Sequence, residues 1–113
     1  MALRPKSESV KFPEFTTELC HILSTLVEID KRTDLEKPEH LVITSANDSK
    51  HKPDSKHYKN QAIDLRSKSF KTEADKADFM AALAKALGPR YTVIYEYPGQ
   101  VNEHFHIQLK RGL

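Results

Sequence analysis

The 113-residue chain has one cysteine, no long apolar run and almost no excess of charge. Each shortage excludes something. A lone Cys20 rules out an intramolecular disulfide and any paired-cysteine metal site. Its place beside the apolar stripe of a predicted helix reads as a buried thiol rather than a reactive one. No segment approaches the ~20 apolar residues of a membrane span. The opening "MALRPKSESV" has basic residues but lacks the apolar core of a secretory signal. The expectation is a protein made in the cytoplasm, which must be released by another agent if its substrate lies elsewhere. With 18 Lys+Arg against 16 Asp+Glu, the net charge of +2 is too weak to imply a nucleic-acid partner. No internal repeat or low-complexity linker divides the sequence.

What remains is 38% hydrophobic and 30% charged, the balance of a globular chain. Residues 1–113 read as one domain, able to bury roughly two-thirds of its unfolded surface. Residues 12–30, "FPEFTTELCHILSTLVEID", carry Phe15, Leu19, Ile22, Leu23, Leu26 and Ile29 at helical spacing, with Pro13 tolerable in a first turn. "HLVITSA" (40–46) and "QAIDLRS" (61–67) read as strands. The polar stretch between them, 47–60, is a long loop, a feature uncommon in small domains unless it serves function. Residues 72–89 form the clearest helix: Thr72 and Asp75 make a capping signature, Phe79, Met80, Leu83 and Leu87 line one face, and Gly88-Pro89 ends it. Two more strands follow, 90–97 and 104–110, joined by the turn-rich "PGQVN". The order α-β-β-α-β-β predicts an α+β domain: a small, mainly antiparallel sheet with two helices packed on one face.

Strand alternation then assigns faces. Ile63 and Leu65 point one way, Asp64 and Arg66 the other. Phe105, Ile107 and Leu109 form the apolar set of the last strand, leaving His104, His106 and Gln108 opposite. With helices on the apolar side, Asp64 and His106 emerge together on the open face. His57, in the loop feeding the Asp64 strand, can reach the same place. Two histidines and a carboxylate are N/O ligands suited to zinc, with a fourth position open. Zinc lowers the pKa of its water to around 7, and Glu103, three residues before His106, is the expected general base, seated at the hairpin end or a bulge. His21 and His40 read as packing or surface residues. His51 shares the loop with His57 and is the weaker ligand candidate.

Taken together, "SKHYKNQAIDLR" and "EHFH" resemble the zinc D-alanyl-D-alanine peptidase family of the hedgehog/DD-peptidase fold, which includes D,D-carboxypeptidases and phage L-alanyl-D-glutamate endolysins. The family pattern is Ser-x-His, a glycine three residues on, Ala-x-Asp, and later Glu-x-x-His. Ser55, His57, Ala62, Asp64, Glu103 and His106 match in order and spacing, over about residues 40–110. The resemblance implies His57, Asp64 and His106 as ligands of one zinc, Glu103 as catalytic base and Ser55 as a substrate contact. Asn60 stands at the glycine position, a residue that accepts left-handed backbone angles. Many members also carry an arginine after the first strand, where this chain has "TSANDSKHK". Lys50, Lys52 and His51 stand in that region, and His104 is a further candidate to bind substrate beside the metal.

The expected function is a zinc peptidase cutting peptidoglycan stem peptides at a D-Ala-D-Ala or L-Ala-D-Glu type of bond. A phage or prophage endolysin, monomeric and acting at the cell wall, fits these features. Two other classes compete. A histidine-metal nuclease needs a basic phosphate-reading surface. A non-catalytic wall-binding or regulatory module would keep the fold and metal but has no use for Glu103.

Overall fold

The amphipathic stretch from residue 12 becomes helical only at Thr17. In the computed structural model, which describes residues 3–46, 61–110 and 112, the Thr16 side chain accepts the Leu19 N–H at 3.1 Å. That cap sets the start of α1 (Thr17–Asp30) by satisfying one of its unpaired first-turn donors. Leu19, Ile22, Leu26 and Ile29 form its buried stripe. Two expectations fail here. Phe15 lies before the helix, 64% exposed, and stacks on Phe12. Cys20 is exposed rather than buried, because it stands one residue, about 100° of rotation, past the stripe at Leu19.

The second helix, α2 (Glu73–Leu87), follows its sequence signals closely. Thr72 accepts the Asp75 N–H at 3.0 Å, and Gly88 ends the helix at φ +96°, a backbone angle that side-chain-bearing residues rarely adopt. Phe79, Leu83 and Leu87 are its buried face.

Five strands form one sheet: β1 (Leu3–Pro5), β2 (Leu41–Ser45), β3 (Ala62–Arg66), β4 (Tyr91–Glu96) and β5 (His104–Leu109), in the order β1-β2-β3-β5-β4. β1 runs parallel to β2 and the other pairs are antiparallel. Sequence reasoning missed β1, since three residues show no periodicity and one is a proline. On an edge strand that proline is tolerated. A register irregularity between Ile43 and Ser45 bends β2 beside Asp64.

Ile63, Leu65, Phe105 and Ile107 meet the stripes of α1 and α2 in a common core. Phe70, Phe79 and Phe105 pack with ring centroids 4.9–5.5 Å apart. Burying each such ring stabilises the fold by ~1.5–3 kcal/mol. The architecture is the expected small α+β domain with an antiparallel-dominant sheet and its helices on the core side. No helix among the described residues is long and apolar enough to cross a membrane.

Candidate metal centre

The strict alternation of β5, buried at Phe105, Ile107 and Leu109, puts His104, His106 and Gln108 on the face away from the helices. Register does the rest. Asp64 on β3 is paired with His106, and Arg66 with His104. On the other flank, Glu96 of β4 is paired with His104 and Ile94 with His106. Two rows therefore cross three strands: Arg66, His104, Glu96, and beside it Asp64, His106, Ile94. Cβ atoms of such direct neighbours are roughly 4.5–5.5 Å apart, so polar side chains in these rows converge.

The contacts follow that grid. His106 Nδ1 lies 2.8 Å from Asp64 Oδ1 and 3.9 Å from Glu96 Oε1. His104 Nε2 lies 2.9 Å from Glu96 Oε1 and 3.6 Å from Asp64 Oδ1. One donor atom each from Asp64, Glu96 and His104 falls within 4.8 Å of the other two, close enough for a shared cation. The side chains are half-buried, with Asp64 14% and His104 18% exposed, so water competes only in part for their lone pairs.

The outer nitrogens test whether these residues suit a metal. His104 Nδ1 donates to the Asn102 carbonyl at 2.8 Å, and His106 Nε2 faces Gln108 Oε1 at 2.7 Å. A metal-binding histidine characteristically commits its other ring nitrogen to an oxygen acceptor, fixing tautomer and orientation. With the outer nitrogens so engaged, the inner nitrogen of each ring faces the two carboxylates. An inward lone pair facing a carboxylate oxygen is unfavourable unless a proton or cation lies between them. Two imidazoles and two carboxylates are a donor set that fits zinc. Burial opposes charge on His106, but its hydrogen bonds to Asp64 and Gln108 outweigh that and raise its pKa above the ordinary 6.5.

Glu103 lies under the sheet. It precedes β5 in the same alternation phase as Phe105, and its carboxylate is buried. Oε2 accepts from Ser67 Oγ at 2.6 Å, Lys76 Nζ at 2.8 Å and the Tyr95 hydroxyl at 3.0 Å, while Oε1 accepts the Gly99 N–H at 3.0 Å. Burial penalises its charge, yet these donors more than compensate and hold its carboxyl down at about 2. Lys76 loses by burial and gains more from Glu103, Tyr95 and Glu73, so its pKa is raised. A carboxylate so weakly basic, committed to four donors, is poorly suited to take a proton at neutral pH.

The structure thus brings Asp64, His104 and His106 together and turns Glu103 away from them. Ser55 and His57, with His51, Lys50 and Lys52, lie outside the described residues. Glu96 was missed from sequence. The signal was available: an acidic residue in a strand with no other charged side chain, which the hairpin register sets opposite His104. His21 and His40 have bland roles, the first bonded to the Leu87 carbonyl and against the Tyr91 ring, the second bonded to Arg4. Comparison with protein-family models, with curated proteins and with solved structures finds no match to this chain.

Proposed function

We propose that the chain is a zinc-dependent peptidase of the D-alanyl-D-alanine / L-alanyl-D-glutamate type, acting on peptidoglycan stem peptides as a phage-type endolysin does. One observation carries the reading. Asp64 and His106, two of the ligands that the motif resemblance names, face each other at 2.8 Å on the open side of the sheet, within reach of further N/O donors. The hedgehog/DD-peptidase fold is part of the same proposal.

Asp64 and His106 would hold the ion, with His57 as the third ligand that the resemblance supplies. Bound there, zinc supplies Lewis acidity toward a peptide carbonyl. Proton transfer is assigned to Glu96 in place of Glu103. Glu96 is the more exposed carboxylate of the centre, 37% against 14% for Asp64, and it shares the open face with both histidines. It takes the proton of the attacking water and delivers it to the leaving amine. His104, held by Asn102 with its Nε2 2.9 Å from Glu96, stands beside that carboxylate and the substrate's approach to the metal.

The test is to load the purified chain with zinc, incubate it with purified peptidoglycan, and identify released fragments by mass spectrometry. New free termini within stem peptides, absent after chelation, are expected. Intact stem peptides at full zinc occupancy would remove the peptidase reading.

A further inference from the structure

Beside the metal centre, at the end of β3, lies a groove of ≈ 420 Å³. Its lining includes Lys6, Thr44, Arg66, Lys68, Asn102 and His104, together with Glu103, whose charge is met by Lys76. Three of these are cations, from the turn after β1, the end of β3 and the segment that follows it. Three of the described basic side chains have acidic partners, Lys31 with Glu28, Arg32 with Asp34 and Lys76 with Glu103, so what distinguishes this groove is the convergence of its cations. Among the described residues, no carboxylate pairs with Lys6, Arg66 or Lys68. All three are exposed, and their convergence on one groove is local, because the whole chain carries only +2.

Arg66 connects this groove to the centre. It shares the open face with Asp64, two residues away on β3, and is the register partner of His104. Direct partners on antiparallel strands have Cα atoms ~4.5–5.5 Å apart, while an extended peptide advances ~3.3 Å per residue. A group held by Arg66 is therefore one or two residues from a bond held at the metal centre. The guanidinium fork matches a carboxylate in two parallel hydrogen bonds, and Lys6 and Lys68 add charge without further geometric demand.

We propose that this groove is an anion subsite in which Arg66, aided by Lys6 and Lys68, takes a carboxylate of the substrate one or two residues from the cleaved bond. The proposal rests on the peptidase reading and names its substrate class: peptides acidic next to the cut. A groove of this volume takes a short peptide segment. A polyphosphate backbone is the poorer fit, because Asp64 and Glu96 flank the cations and would repel successive phosphates. The carboxylate has two sources in a stem peptide, a chain terminus or an acidic residue within it.

The experiment is a binding titration of the zinc-loaded full chain, followed by NMR, with four synthetic probes. Acetyl-D-Ala-D-Ala and its C-terminal amide test the terminal source. An acetyl-L-Ala-D-Glu peptide and its counterpart with both carboxylates amidated test the internal one. At least one acid is expected to bind about tenfold or more tighter than its amide, the scale of one charge-assisted pair. Arg66→Gln should erase that preference while leaving the amide's affinity and the zinc content unchanged. Arg66→Lys should restore part of it, and Lys85→Gln on α2 should do nothing.

Equal binding of acid and amide, equal loss of both in Arg66→Gln, or no binding of any probe would overturn the subsite. So would salt-dependent binding of a short oligothymidylate that Arg66→Gln abolishes while neither acid binds, which would give the groove to nucleic acid. The two readings fail separately. Acid preference without cleavage of peptidoglycan keeps the subsite and ends the peptidase; cleavage without acid preference does the reverse.

Discussion

The hairpin of β4 and β5 carries a carboxylate cluster on each face, and the two are built to opposite ends. Below the sheet, Glu103 meets a cation, two hydroxyls and a backbone N–H, so its charge is balanced from within the chain. Above it, Asp64 and Glu96 face two imidazoles whose other nitrogens point to oxygen atoms. The neighbours Tyr95 and Glu96 divide between these faces, as do Glu103 and His104. The comparison teaches that a carboxylate near a histidine motif is not by position a catalytic one. The lower cluster supplies its own cation, and the upper one has the composition to take a cation from outside.

Breaking the upper cluster should have the largest effect. Asp64→Asn removes the carboxylate that both histidines approach, and zinc content by elemental analysis should fall from one per chain to near none. The two histidines then sharpen the ligand assignment. His106→Ala should lose zinc, while His104→Ala should keep it and turn over more slowly. The opposite pattern would favour Asp64, Glu96 and His104 as the ligand set.

Breaking the lower cluster should cost stability instead. Lys76→Met leaves a buried carboxylate without its cation, a loss of ~3–5 kcal/mol in urea unfolding. Adding Glu103→Gln should recover part of that loss, since the unpaired charge is then removed. Recovery of nothing would mean that the pair is not the source of the effect.

The proton-transfer assignment separates the faces by activity. Glu96→Gln should lower turnover by ~10²-fold or more with the melting temperature little changed. Glu103→Gln should act first on stability. If Glu103→Gln abolishes turnover in a folded, zinc-loaded chain while Glu96→Gln does not, the faces are assigned the wrong way round.

The smallest effect is in pH. Folding lowers the Glu103 pKa from an ordinary 4.5 to about 2, so the native state binds fewer protons than the unfolded chain in this range. The stability it contributes is complete above about pH 4.5 and is lost as pH falls toward about 2, by ~3 kcal/mol at most. Glu103→Gln should flatten that limb of the acid unfolding curve.

Sequence patterns went furthest where one local cause decides. Thr72 and Gly88 bound α2 as their cap chemistry demands, and alternation alone put Asp64 and His106 on one face. Less was legible where neighbours decide. Whether Glu103 faces its motif partner or the core depends on Lys76, a residue of another element with no motif of its own. Glu96 enters the centre only through hairpin register, since β4, an edge strand with intermediate burial at most positions, lacks a clean alternation. Cys20 was misplaced by a one-residue phase error and Phe15 by the helix boundary, which falls after it at Thr17, and β1 is too short to leave a periodic trace.

The strand bearing both histidines comes fifth in the chain yet lies between β3 and β4 in the sheet. Asp64 and His106 are 42 positions apart, and α2 and β4 must be made before β5 can slot between its partners. No short fragment holds the donor set, so the centre exists only in the assembled sheet. Metal affinity and folding are then linked by mass action: an ion bound only by the native state stabilises it by RT ln(1 + [metal]/Kd). A core substitution at Phe79 or Phe105, far from any ligand, would weaken apparent zinc binding by populating the unfolded chain. For the proposed zinc site, the concentration needed for half-saturation would also measure how well the core is packed.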